Sequence, residues 1–215
     1  AQTKEAVQGL LMRVWDAALQ ATERERQAVR GAALAHGFVD PIEAWDWRFY
    51  AEKVRQAQYA LDEAQLKPYF PLDAMVQAVF ACAQRLFGLR FEHRPDWPVY
   101  HPDVMAYEVL DADGAHRAVF LHDNFAREGK RSGAWMNALR WAHRNGARQT
   151  PVILNTNNFA KGAPGQPTLL SLDDVRTLFH EFGHGLHGML SDTRYERLSG
   201  TQVLRDFVEL PSQLM

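Results

Sequence analysis

The sequence predicts a mainly α-helical protein in which a small β-sheet interrupts the helical body. Two observations support this fold class. Apolar residues recur at helical spacing before residue 92 and again from residue 169 to the end, whereas the stretch between them carries short strand-like runs, turns and prolines. We therefore predict one domain over residues 1–215, with a helical part at 1–92, a small sheet with loops at 93–168, and further helices at 169–215.

The first part contains three predicted helical regions. Residues 4–36 place apolar side chains on one helical face and then become charged, which favours a pair of helices. Asp40-Pro41 marks a break, after which Asp40 is expected to cap a helix that starts at Pro41 and runs towards Leu61. Residues 71–88 form another predicted helix, opened by a proline and closed by a glycine.

The sheet is predicted from three strands. Met105–Leu110 and His116–His122 flank the turn-forming run Asp111–Gly114, which is typical of a β-hairpin. Pro151–Asn155 is a third short strand, and residues 160–168, rich in glycine and proline, are predicted to be a loop.

The composition narrows the possible environment and partners. A formal net charge of -2, without a cluster of basic residues, gives no reason to expect nucleic acid or an anionic membrane as a partner. No obligate protein partner is indicated. Cys82 is the one cysteine, so no internal disulfide can form, which favours a reducing, cytoplasmic location. Because the sequence starts at Ala1 and stops at Met215 within helix-like segments, we expect a piece truncated at both ends.

The next helix carries a stripe of histidines. Ser171 followed by Asp174 resembles a capping box and predicts a helix start near residue 172. His180, His184 and His187 fall within roughly 60° of one another around that helix. The opposite, broad face is apolar and consists of Val175, Leu178, Phe179, Phe182, Leu186, Met189 and Leu190. The histidines therefore avoid the predicted core face, which argues against a purely structural role.

The run His180-Glu181-Phe182-Gly183-His184 has the spacing of a metal site. Residues four apart lie one above the other on a helix, so two imidazoles can reach one tetrahedral zinc ion. Glu181 would lie beside them, near enough to take a proton from water but not in line to act as a third ligand. The helical glycines of the motif cost stability, which is consistent with a close approach to the backbone or with packing against a neighbouring helix.

A catalytic zinc site needs a third protein ligand. Residue 190 is leucine, so no further histidine follows at metzincin spacing. The downstream candidates are Asp192, Glu196, Asp206 and Glu209. We predict a helix over 205–210 that carries Asp206 and Glu209 on one face, one binding metal while the other orients a ligand histidine.

The sequence around the motif resembles the thimet oligopeptidase family of zinc metallopeptidases, in particular its bacterial peptidyl-dipeptidase and oligopeptidase A branch. The residues that carry this likeness are Thr177–Gly188, Ser199–Thr201 and Asp206–Gln213, with shorter family-like stretches at Trp45–Trp47, Lys67–Phe70, Pro98–Val104 and Gly133–Trp135. The likeness covers most of the chain from about residue 40.

The resemblance implies a site and a fold. It makes His180, His184 and Glu209 the ligands of one Zn²⁺ per chain and Glu181 the general base. His187 also matches a family position, and we predict that it supports the site without binding metal. The fold implied is a helical metallopeptidase core of zincin type with a small sheet along one wall of a cleft.

The resemblance also implies a function, namely zinc-dependent hydrolysis of short peptides with release of C-terminal dipeptides. Two alternatives stay open at this point: an endo-acting oligopeptidase of the same family, and a fragment that binds zinc but lacks the residues needed for turnover. By the same analogy, the strand at Ala118–His122 is expected to pair with the peptide backbone.

Overall fold

A computed structural model of the chain describes residues 3–38, 41–59 and 63–215. It is mainly α-helical with one five-stranded sheet, which confirms the predicted fold class. The chain divides into two compact units, residues 1–62 and 63–215, and the single-domain arrangement stays a prediction. Within the described residues, the helices lack the combination of length and hydropathy that a bilayer span requires.

The first unit begins with one long helix instead of the predicted pair. Helix α1 (Lys4–Ala35) is continuous, and the Thr3 side chain caps its start by accepting a hydrogen bond from the Ala6 N–H. The switch from apolar to charged residues does not end the helix, because Glu23 binds Arg26 and a neighbouring glutamine three and four residues further on. The predicted pair of helices over residues 4–36 is therefore wrong.

Helix α2 (Ala44–Tyr59) begins after Pro41, not at it. The carboxylate of Asp46 accepts a hydrogen bond from the backbone N–H of the residue that precedes the helix, which fixes the start there. The predicted cap Asp40 and the predicted end Leu61 lie outside the described residues.

The second unit contains the remaining elements. In chain order they are α3 (Glu63–Leu66), α4 (Leu72–Phe87), β1 (Arg90–His93), β2 (Val104–Leu110), β3 (His116–Phe125), β4 (Trp135–Arg140), β5 (Val152–Phe159), α5 (Leu172–Met189) and α6 (Leu210–Leu214), with 3₁₀ turns at Lys67–Tyr69 and Glu196–Leu198. The predicted helix over 71–88 is confirmed, and Gly88 ends it with a φ of 70°.

The sheet has the strand order β1-β2-β3-β5-β4. The β2–β3 hairpin and the strand at β5 were predicted, whereas β1 and β4 at the two edges were not. Strand β3 is paired on both sides, antiparallel to β2 and parallel to β5. The expectation that Ala118–His122 pairs with a peptide is therefore wrong, because this strand has no free edge.

Helices α4 and α5 cover one face of the sheet. Their shared core is built on aromatic rings, in which Phe80 packs against Phe182 and Phe120 at centroid distances of 5.8 and 6.3 Å. All three rings are buried. Because Phe182 lies within the histidine motif, this core fixes α5 against the strands and leaves its histidine stripe facing away.

Candidate metal centre

Helix α5 starts as its sequence predicts. The Ser171 hydroxyl accepts a hydrogen bond from the Asp174 N–H at 3.1 Å, and the Asp174 carboxylate accepts one from the Ser171 N–H at 2.9 Å. At the other end, Arg117 on β3 donates to the carbonyl of Leu190 at 2.7 Å, a favourable place for a cation. Both ends of the helix that carries the motif are therefore fixed.

Two histidines and one glutamate meet beside α5. The rings of His180 and His184 lie 4.9 Å apart at an angle of 89°. Glu209 Oε2 lies 3.4 Å from His180 Nε2 and 3.1 Å from His184 Nε2. One ligand atom from each of the three residues falls within 4.8 Å of the others. The structure thus brings together the three residues that the resemblance selected as metal ligands.

Glu209 reaches the histidines from a turn, not from a helix. Residues 205–209 form successive turns, in which Phe207 and Leu210 donate backbone hydrogen bonds three residues back, and only then does α6 begin. Pro211 explains this, because it has no N–H to donate to the carbonyl four residues earlier and is tolerated in the first turn of a helix. The predicted helix over 205–210 is therefore wrong.

Ser212 holds the Glu209 carboxylate. Its hydroxyl lies 2.9 Å from Glu209 Oε2 and 2.9 Å from the Glu209 carbonyl oxygen, and it donates to both acceptors. This hydrogen bond lowers the pKa of Glu209, and the imidazoles of His184 and His180 lower it further. Sequence reasoning missed this role, although a hydroxyl three residues after a carboxylate is a usable signal.

Gly183 allows the turn to approach the histidine helix. A Cβ at this position would lie 2.7 Å from the carbonyl oxygen of Pro211 and 2.7 Å from the Cα of Ser212. Real Cβ atoms essentially never come so close to backbone, so only glycine permits this packing. The motif glycine at 183 is therefore explained by close packing of α6, which is what brings Glu209 within reach.

We expect Gly183→Ala to destabilise the second unit by about 1–3 kcal/mol, because the added methyl group forces α6 outwards. The same shift moves Glu209 away from the histidines, so the affinity for added Zn²⁺ falls as well. Denaturant unfolding and zinc titration measure the two effects. As a control, Gly9→Ala in α1, where a Cβ meets nothing within 4 Å, is expected to stabilise its helix by roughly 0.5–1 kcal/mol. Unchanged unfolding and zinc binding in Gly183→Ala would contradict this account.

Glu181 lies beside the three converging residues but does not join them. Its side chain is buried and turns towards the sheet, where the backbone of Met136 on β4 forms a hydrogen bond with it. Burial raises the pKa of Glu181 to about 7, and the negative charge of Glu209 adds to this effect, whereas the Met136 bond opposes it. A carboxyl group with this pKa can take up and release a proton near neutral pH. Met136 was not identified from the sequence.

His187 and Asp206 take different positions around the site. The ring of His187 lies 6.1 Å from that of Phe207, and burial, followed by the proximity of His184, lowers its pKa. Asp206 is exposed, and within the described residues no hydrogen bond joins it to His180 or His184. The structure therefore brings His187 next to the site but does not form the orienting contact that was predicted for Asp206.

The other two carboxylates considered as ligands lie away from the histidines. Asp192 pairs with Arg144 at 3.0 Å, and Glu196 begins the 3₁₀ turn that follows α5. Neither belongs to the group of His180, His184 and Glu209 that could hold a metal ion, as found among the described residues.

Comparison with known proteins gives the family context. The protein-family model described as peptidase family M3 matches residues 1–215. The dipeptidyl carboxypeptidase of Salmonella typhimurium is 55% identical over 175 residues, which are 80% of this chain and 25% of that protein. The dipeptidyl carboxypeptidase of Escherichia coli is 46% identical over 216 residues, 100% of this chain and 31% of that protein. Oligopeptidase A of Escherichia coli is 42% identical over 196 residues, which are 90% of this chain and 29% of that protein. The chain thus spans about a quarter to a third of the length of these relatives.

Proposed function

Because this chain belongs to peptidase family M3, we propose that it carries the zinc site of a metallopeptidase that hydrolyses short peptides and releases C-terminal dipeptides. The observation that carries the proposal is the convergence of His180, His184 and Glu209 beside the buried carboxyl group of Glu181. One Zn²⁺ per chain is the cofactor that we propose, and peptides are the partners.

The three converging residues suit zinc. Two imidazoles and one carboxylate are a usual ligand set for catalytic zinc, which keeps a fourth position open. Ligand atoms bound at ~2.0–2.2 Å around a tetrahedral ion lie about 3.3 Å apart or slightly more. The separations of 3.1 and 3.4 Å between Glu209 Oε2 and the two histidine nitrogens are close to that value without rearrangement.

In the proposed reaction, Glu181 acts as the base. When bound, zinc supplies a Lewis acid that polarises the scissile carbonyl and makes the attacking water more acidic. Glu181 takes the proton from that water as it attacks and then returns the proton to the leaving amine. The burial of Glu181 against β4 supports this role, because it holds the carboxyl group in one position beside the histidines.

We propose that the peptide backbone pairs with β4. This strand is at the edge of the sheet, where it pairs with β5 on one side, and an edge strand can accept an extended peptide as an additional strand. Met136, which bonds to Glu181, belongs to the same strand. A peptide on this edge would therefore run next to the proposed base.

The identities of the relatives favour dipeptide release over internal cleavage. The two dipeptidyl carboxypeptidases are identical to this chain at 55% and 46% of the aligned residues, whereas oligopeptidase A of Escherichia coli is identical at 42%. An endo-acting oligopeptidase is the second candidate. We also retain a cytoplasmic location as a proposal, since a single cysteine suits a reducing compartment.

The test uses the protein as the cell makes it. Metal-free and zinc-loaded samples are incubated with peptides of four to twelve residues, and the products are identified by mass spectrometry. Zinc-dependent appearance of C-terminal dipeptides supports the proposal, and blocking the peptide C-terminus as an amide should suppress it. Cleavage at internal bonds irrespective of the C-terminus would favour the oligopeptidase, and no zinc-dependent hydrolysis at all would refute both.

A further inference from the structure

The loop that leads to β4 has an unusual route. Strand β3 ends at Phe125 and β4 begins at Trp135, but β5 lies between these two strands in the sheet. Residues 126–134 must therefore cross the end of β5 before the chain can form the edge strand. Such a crossing loop has few ladder hydrogen bonds of its own, so the place where the chain enters β4 depends both on the pairing of β4 with β5 and on what holds the loop.

A buried carboxylate lies at the start of this crossing. The side chain of Asp123 is 2% exposed. Arg127 binds it through two parallel hydrogen bonds of 2.7 and 2.8 Å, and the Tyr100 hydroxyl donates to it at 2.7 Å. Burial alone would raise the pKa of Asp123, but the hydrogen bonds from Arg127, Tyr100 and Lys130 outweigh it and lower the pKa to about 2. The carboxylate is therefore charged and fully bonded.

Lys130 joins the crossing loop to this carboxylate. Its ammonium group contacts three oxygens: Asp123 Oδ1 at 3.0 Å, the Asp123 carbonyl at 3.2 Å and the Phe125 carbonyl at 2.7 Å. An ammonium group has three donors, so all of them are used. The side chain is only 5% exposed, and each of its three donors has an acceptor oxygen. These contacts bind the middle of the loop to the C-terminal end of β3.

A second contact holds the far end of the loop. The side-chain amide of Asn158 on β5 donates to the carbonyls of Arg131 and Gly133 at 2.7 and 2.6 Å. Two residues later the chain enters β4, and Met136 meets the carboxyl group of Glu181. The contacts that link Lys130 to Glu181 therefore follow seven residues of backbone, from Lys130 to Met136.

We propose that Lys130 is a positioning residue, which through Asp123 and the crossing loop sets the place of the edge strand β4 beside Glu181. A buried ion pair contributes little net stability, because desolvation of the charges offsets their attraction. Such a cluster instead holds the segment that carries it in a single geometry. The expected loss of peptide hydrolysis rests on the proposed function, whereas the expected effect of Lys130 on the position of β4 does not.

Lys130→Ala tests the inference and is expected to fold, because Arg127 and Tyr100 still satisfy Asp123. Hydrogen–deuterium exchange followed by mass spectrometry should show faster exchange in β4 and unchanged exchange in α5. The affinity for Zn²⁺ should stay within about twofold of the parent protein, because none of its proposed ligands lies on the loop. For peptide hydrolysis, we expect kcat/KM to fall by about 10- to 100-fold, as misplacement of about 1 Å does at an active site.

Chemical rescue makes the test specific. Lys130→Ala removes a propylammonium fragment, so added propylamine at neutral pH should restore slow exchange in β4 and part of kcat/KM. Lys161→Ala is the matched control, since Lys161 pairs with Asp103 at 2.5 Å but is 58% exposed, and it should change neither quantity. If Lys130→Ala proves too unstable to purify, Lys130→Met preserves the volume and removes only the charge and its donors.

The results separate the two proposals. Parent-like exchange in β4 of either Lys130 variant, or faster exchange spread evenly over every element, would overturn the positioning role. Faster exchange confined to β4 without any effect of propylamine would overturn it as well. If the parent protein hydrolyses no peptide, the proposed function fails, while exchange and zinc binding still decide whether Lys130 positions β4.

Discussion

Replacing Glu181 by glutamine is expected to leave zinc binding intact and to remove nearly all peptide hydrolysis. Glutamine has the shape of glutamate but cannot accept the proton of the attacking water, so kcat should fall by about 10²–10⁴-fold. The metal site should persist, because Glu181 is not among the three residues whose ligand atoms converge. Zinc titration and steady-state kinetics on the same sample measure both quantities.

A matched control distinguishes the base from a general effect of lost charge. Glu196→Gln changes the same residue type on the 3₁₀ turn that follows the histidine helix, away from the converging residues. This variant should retain both zinc and activity. Parent-like turnover in Glu181→Gln would show that another group, or water alone, takes the proton, and loss of zinc in that variant would show that Glu181 contributes to the metal site.

The parts of the site that follow from local rules were predicted from the sequence. The capping pair Ser171 and Asp174 fixes the helix start at Leu172, eight residues before His180, and both hydrogen bonds of the capping box form. The four-residue spacing of His180 and His184 is sufficient to place their rings together, because helix geometry is regular over a single turn. Both features need no information about the rest of the fold.

Tertiary contacts account for what the sequence did not predict. Strand β4 has no clear alternation of apolar and polar residues, and its pairing with β5 is not specified by any neighbouring turn. Because β4 was missed, the contact of Met136 with Glu181 was missed too, and the edge for peptide pairing was assigned to β3. The turn that carries Glu209 was interpreted as helix, since the residues before Pro211 are apolar or charged in a helix-like order.

The structure shows which elements approach the glycines of the motif. Close approach and helix packing explained them equally well in the sequence. In the structure, Gly183 is close to the backbone of α6, whereas a Cβ at Gly188 would meet the side-chain ends of Ile153 and Met136 at 2.6 and 2.7 Å. Gly183 thus allows the close approach of α6, which follows Glu209, and Gly188 allows the close approach of the sheet that carries Met136.

Loss of the Glu209 carboxylate is expected to have the largest effect on metal binding. Glu209→Ala leaves two imidazoles, which are too few for a catalytic zinc site. Because residues that merely orient a ligand contribute 10–100-fold to metal affinity, removal of a ligand itself should weaken zinc binding by at least about 100-fold. Peptide hydrolysis should be lost with the metal, in contrast to Glu181→Gln. Competition with a chromogenic chelator measures the affinity.

The variant should still fold, so that the loss can be assigned to the ligand. Ser212 keeps its hydrogen bond to the carbonyl of residue 209, which a change of side chain does not remove. Asp206→Ala is the control, since Asp206 is exposed on the same turn and has no hydrogen bond to either histidine among the described residues. Zinc affinity should therefore be unchanged in Asp206→Ala. Strong zinc binding in Glu209→Ala, or its loss in Asp206→Ala, would transfer the third ligand from Glu209 to another carboxylate and with it the assignment of this site.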